Sequence, residues 1–81
     1  MDLEKYRVMF LEDATPILAR VKEAMADFQS LDPEALHKLY LDAHTLKGGY
    51  LQFGMQEEAK WASSIEQAAH EAFQAKQITK E

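Results

Sequence analysis

The sequence predicts an all-α fold, a small antiparallel bundle of helices. Three observations carry that prediction. Only three glycines and two prolines occur in 81 residues. Alanine, leucine, glutamate, lysine and glutamine dominate instead, and these residues lose little on entering a helix. Apolar residues recur every three or four positions through three separate segments, whereas no segment alternates apolar and polar residues as a half-buried strand does.

The first helix is expected over about residues 3–28. Leu3, Tyr6, Phe10, Ala14, Ile17, Leu18, Val21, Ala24, Met25 and Phe28 fall at helical spacing and make one apolar face. Pro16 sits inside this pattern and removes one backbone donor. The periodicity stays in phase across it, which favours a kinked helix over two helices. Val8-Met9-Phe10-Leu11 is apolar nearly all round, so part of that turn is exposed or meets a second contact.

A break follows at Gln29-Ser30-Leu31. Asp32 is placed to cap the next helix, with Pro33 at its first position and Glu34 in its first turn. This second helix is expected over about residues 33–53. Leu36, Leu39, Tyr40, Ala43, Leu46, Tyr50 and Phe53 form its core stripe. His44 lies at the edge of that stripe, and His37, Leu41, Gly48 and Leu51 share its side. Lys47 lies between His44 and the core, where its stem can lead the charge outwards.

Gly48 and Gly49 each cost a helix roughly 1 kcal/mol relative to alanine. The stripe runs past them to Phe53, so they do not end the helix, and Gly54 is the better terminator. The pair reads as a shallow spot that admits a large partner to His44. The third helix is expected over about residues 56–76, with Trp61, Ala62, Ile65, Ala68, Ala69, Ala72 and Phe73 on its stripe. Glu66 and His70 sit one turn apart on a flank. Residues 77–81 read as a frayed tail or as a chain stopped short.

A chain of this length makes a single domain, 1–81, with a limited core. It has no cysteine, which excludes disulfides and thiolate metal sites and fits a reducing compartment. Its net charge of −5 argues against a nucleic-acid partner. No apolar run approaches the ~20 residues that span a bilayer, so no membrane partner is expected. Met1-Asp2-Leu3-Glu4-Lys5-Tyr6 lacks the form of a signal peptide, and the expected location is the cytoplasm.

No phosphate-binding loop, dinucleotide fingerprint or nucleophile–base pair is visible. His37, His44 and His70 with Glu66 lack metal-ligand spacing, so neither a metal nor a cofactor is expected. His44, Lys47 and Gly48 fit phosphoryl transfer to histidine better. An imidazole nitrogen is a usable nucleophile near neutral pH. A lysine three residues on can offset the new negative charge. Glycines four and five residues on remove side chains that would block a partner.

The run His44-Thr45-Leu46-Lys47-Gly48-Gly49, followed by Phe53-Gly54, resembles the signature of histidine-containing phosphotransfer (HPt) domains. It is especially similar to the phosphotransfer domain of chemotaxis-type histidine kinases. The helix opening Asp32-Pro33-Glu34-Ala35-Leu36 also resembles the family. The likeness covers about residues 3–76, the first helix only in pattern. It implies a helical bundle whose exposed histidine exchanges phosphate with a receiver-domain aspartate or a kinase domain. His44 then accepts the phosphate, Lys47 offsets its charge and Gly48 gives the partner room. The family has an acidic or amide residue 22 positions after the histidine, and here that position is Glu66. If Glu66 accepts a hydrogen bond from Nδ1–H, Nε2 is left free to attack.

With no ATP site, the chain is expected to be a phosphocarrier that cannot phosphorylate itself, either free or part of a histidine kinase. Any Mg²⁺ would belong to the partner. Two departures from the family pattern carry consequences. The positions after the glycine pair are usually small, but here they are Tyr50 and Leu51. Leu51 and Leu41, with Gly48 and Gly49, are the expected docking rim. The family bundle also has four helices, against three here. A fourth helix is expected beyond residue 81, or a second copy in its place as a homodimer. The alternative function is an HPt-like adaptor that docks on a receiver or kinase without accepting phosphate. A third reading, a plain helical dimerisation domain, requires neither His44 nor Lys47. His37 and His70 are expected on the surface, and Trp61 and the stripe aromatics in the core.

Overall fold

The computed structural model describes residues 2–78. It holds three α-helices, α1 (Leu3–Ala26), α2 (Pro33–Gln52) and α3 (Gln56–Ile78), with one 3-10 turn at Phe28–Ser30 between the first two. No strand occurs among the described residues. The predicted all-α bundle is therefore what forms. α1 stops two residues short of the expected end, and α3 runs two residues past it. Residues 79–81 of the expected tail lie outside the described residues.

Each helix end follows from local chemistry. The Asp2 carboxylate accepts from the Lys5 backbone N–H at 3.2 Å and starts α1. α1 then continues through Pro16 as one helix. Asp32 accepts from Ala35 N–H at 2.8 Å and starts α2, with Pro33 where a missing N–H costs nothing. α2 ends in a double clasp. Met55 N–H donates to the Tyr50 carbonyl at 2.8 Å and Gly54 N–H to the Leu51 carbonyl at 3.2 Å. This is the Schellman pattern, and Gly54 supplies the φ of +74° that it needs.

α2 is the central helix, packed against α1 on one side and α3 on the other. The core runs from Ala14 and Val21 of α1 through Leu39, Ala43, Leu46 and Tyr50 of α2 to Ala59, Ala62, Ile65 and Ala69 of α3. The alanines of α3 let its backbone approach α2 closely. Arg20 of α1 grips Asp42 of α2 with two parallel bonds of 3.1 Å. Lys76 of α3 donates to the Leu31 carbonyl in the connection before α2.

The molecule measures 53 × 18 × 16 Å, so each helix keeps a long solvent flank. Four expected core positions are consequently outside, Leu3, Tyr6, Met25 and Trp61. Trp61 is 39 % exposed, because α3 buries the line Ala59–Ala62–Ile65–Ala69 and Trp61 projects to one side of it. Leu3 and Tyr6 are exposed because the first turns of α1 reach only the end of α2 and the turn after it. Val8 and Met9 are exposed as well.

Candidate functional site

The site sits on the seam between α2 and α3. The turn at Gly54 brings α3 back along α2, which places Glu66 opposite His44. The His44 Nδ1–H donates to Glu66 Oε2 at 2.7 Å. The second carboxylate oxygen, Oε1, takes Lys47 Nζ at 2.6 Å. One carboxylate thus joins the histidine and the lysine that α2 presents three residues apart.

Burial is graded across the three groups. The Glu66 side chain is 12 % exposed, Lys47 29 % and His44 61 %. The carboxylate is inside and the imidazole outside. The hydrogen bond from Lys47 holds the Glu66 carboxyl below the usual carboxylate range. Burial pushes against this, and the hydrogen bond from His44 adds to it. An ionised carboxylate only accepts hydrogen bonds, so Nδ1 of His44 carries the proton. In the neutral ring, Nε2 then holds the free lone pair.

The two glycines separate in role. A Cβ built on Gly48 meets nothing within 4 Å. A Cβ built on Gly49 lies 2.0 Å from Phe10 Cε1. Gly49 is therefore a seat for α1, not a clearing for a partner. This corrects its expected place in the docking rim. The Phe10 ring lies over Gly49, meets Tyr50 edge-on at 5.7 Å and stacks on Phe53 at 5.6 Å. The sequence carried a signal for this. Leu46, Gly49 and Phe53 fall at i, i+3 and i+7, on the flank of α2 that meets α1.

Leu41 and Leu51 are both exposed, as is Gly48. A shallow groove beside Leu51 is lined by Lys47, Leu51, Gln56, Ala59, Lys60 and Ser63. On the other side of His44 lie rings that the sequence reading did not connect to it. Tyr40 is half-buried and stacks on His44 with centroids 6.3 Å apart. His37 and His70 are exposed, and both rings lie against Tyr40. The available signal was the spacing of Tyr40 one turn before His44. Among the described residues, no group of three or more His, Asp or Glu gathers to hold a metal ion.

A family model described as the Hpt domain matches residues 5–80. No curated protein and no solved structure matches the chain.

Proposed function

Because the chain belongs to the Hpt domain family, a phosphotransfer module of two-component signalling, we propose that His44 is its phosphoacceptor and exchanges phosphate with a receiver-domain aspartate or a kinase domain. The observation that carries this is the 2.7 Å bond from Nδ1 of an exposed imidazole to a shielded carboxylate.

The chemistry follows from that bond. The Nε2 lone pair attacks the phosphorus of an aspartyl phosphate. A P–N bond forms, the P–O bond breaks, and the aspartate carboxylate leaves with the electron pair. The Nδ1 proton stays on the ring, whose positive charge Glu66 offsets. Lys47, close on the same helix, offsets the charge of the arriving phosphoryl group. The reverse sequence delivers the group onward, and a kinase domain would load Nε2 from the γ-phosphate of ATP. Such transfer needs positioning and electrostatics more than side-chain chemistry, which matches the small number of groups here.

In this reading Leu41, Leu51 and Gly48 form the rim on which the partner closes. The setting is cytoplasmic, where receivers and ATP are available. No helix among the described residues is long and apolar enough to cross a membrane. Exposed apolar side chains on α1 (Val8, Met9 and Met25) and on α3 (Trp61) support a second copy, or another helix, against the bundle.

The test is incubation with phosphorylated receivers and with kinase domains supplied with ATP, counting acid-labile label on the chain. Transfer that disappears in His44→Gln is the expected result. No label from any of several donors would reject phosphotransfer and leave the non-catalytic adaptor.

A further inference from the structure

We propose that Tyr40 is a positioning residue for His44: its ring backs the imidazole face and, together with Glu66, fixes the plane in which Nε2 is presented. This deepens the phosphotransfer reading and rests on it.

A hydrogen bond at Nδ1 restrains one atom of the ring. The imidazole can still pivot about that contact, and each pivot moves Nε2. A flat neighbour removes that freedom. Tyr40 lies one helical turn before His44, with ring centroids 6.3 Å apart and planes only 17° from parallel. That is offset stacking geometry, within the range where aromatic pairs attract.

Tyr40 is suited to the task because it is itself held. His37 stacks on it from within α2 at 6.3 Å and 19°. His70 leans on it from α3 at 5.6 Å and 39°. Phe73 of α3 closes on His37 at 5.7 Å. Rings from two helices thus clamp Tyr40, and Tyr40 is the member of this cluster that stacks on His44. An aromatic that only filled the α2–α3 seam would not need its plane aligned with the exposed imidazole. Alignment within 17° is what orientation requires.

The experiment compares the wild-type chain with Tyr40→Phe, Tyr40→Leu and His70→Ala. Nitrogen-15 NMR reads the His44 ring tautomer. Phosphoramidate, a small phosphodonor that needs no docking surface, reads intrinsic phosphorylation at His44. Tyr40→Phe keeps the ring and is expected to match wild type in both. Tyr40→Leu is expected to lose part of the Nδ1–H tautomer and to label about five-fold more slowly. His70→Ala, which loosens the clamp from an exposed position, shifts both in the same direction by less.

A folded Tyr40→Leu chain with wild-type tautomer and labelling overturns the proposal. So does a Tyr40→Phe chain as impaired as Tyr40→Leu, since the hydroxyl and not the stack would then matter. Should Tyr40→Leu fail to fold, His70→Ala decides, and an unchanged tautomer and rate there overturn it. If wild type takes no phosphate from phosphoramidate or from any phosphorylated receiver or kinase domain with ATP, the phosphotransfer reading fails. The tautomer measurement still decides whether Tyr40 orients the ring.

Discussion

Lys47 reaches Glu66 at 2.6 Å on one carboxylate oxygen while His44 holds the other. The lysine expected to serve the phosphate is thus first engaged in keeping the carboxylate ionised. That arrangement gives the site a defined pH dependence. The folded-state pKa of Glu66 is depressed, with the Lys47 hydrogen bond as the largest cause. Its stabilising contribution is therefore complete above the unfolded glutamate value of about 4.3 and is lost as pH falls through the lower folded value. Melting temperatures of wild type and Glu66→Gln should differ at neutral pH and converge as pH falls through the carboxylate range. A constant gap would show that the Glu66 charge does not stabilise the fold.

Removing the carboxylate should slow phosphorylation without abolishing it, because Nε2 remains a nucleophile. Glu66→Ala is expected to label about ten-fold more slowly from a phosphorylated receiver. Glu66→Gln retains an oxygen that accepts from Nδ1–H and should lose less. An Ala variant with the wild-type rate would remove Glu66 from the mechanism.

The glycines should respond in opposite ways. Gly48→Ala adds a side chain in open space and favours the helix by about 0.5–1 kcal/mol, so the melting temperature should rise. Transfer from a protein donor should fall, while labelling by phosphoramidate should stay unchanged. Gly49→Ala drives a methyl into the Phe10 ring, 2.0 Å from Cε1. A loss of about 1–3 kcal/mol is expected. Phe10→Leu combined with Gly49→Ala should recover part of it, measured by denaturant melts. Additive losses in the double variant would show that the two residues do not share that space.

The exposed flank that carries Trp61, 39 % accessible, should make the isolated 81-residue chain associate or melt weakly. Sedimentation velocity across a concentration series should show a dimer, with Trp61→Glu shifting it to monomer. A monomer that unfolds cooperatively in dilute solution would count against a partner on this flank.

Much of this was legible in the residues. The apolar stripe of α2 ran through Gly48 and Gly49 and stopped at Phe53, which located the Gly54 turn. The resemblance to the family, with its acidic or amide residue 22 positions after the histidine, pointed to Glu66, and the two side chains meet at 2.7 Å. What stayed hidden depended on contacts between helices. Gly48 and Gly49 are neighbours in the chain but about 100° apart around α2, and only the docking of Phe10 separates their roles. Trp61 looked internal because bulk suggests burial, yet α3 was drawn to α2 along its alanines. Tyr40 looked like core because it lies on the stripe, and its alignment with His44 depends on rings from both helices.

The turn at Gly54 also acts as a ruler. His44 lies 10 residues before it (54 − 44) and Glu66 12 residues after it (66 − 54), so the meeting of the two is measured out from that point. Adding one residue inside α3 ahead of Glu66 would shift the rest of that helix by about 1.5 Å and about 100° relative to its first turn, carrying Glu66 off the seam. Spacing within the hairpin is then part of the active constellation as much as any side chain. Chain-length changes there should slow phosphorylation of the histidine to the extent that Glu66→Ala does, while leaving all of its chemical groups in place.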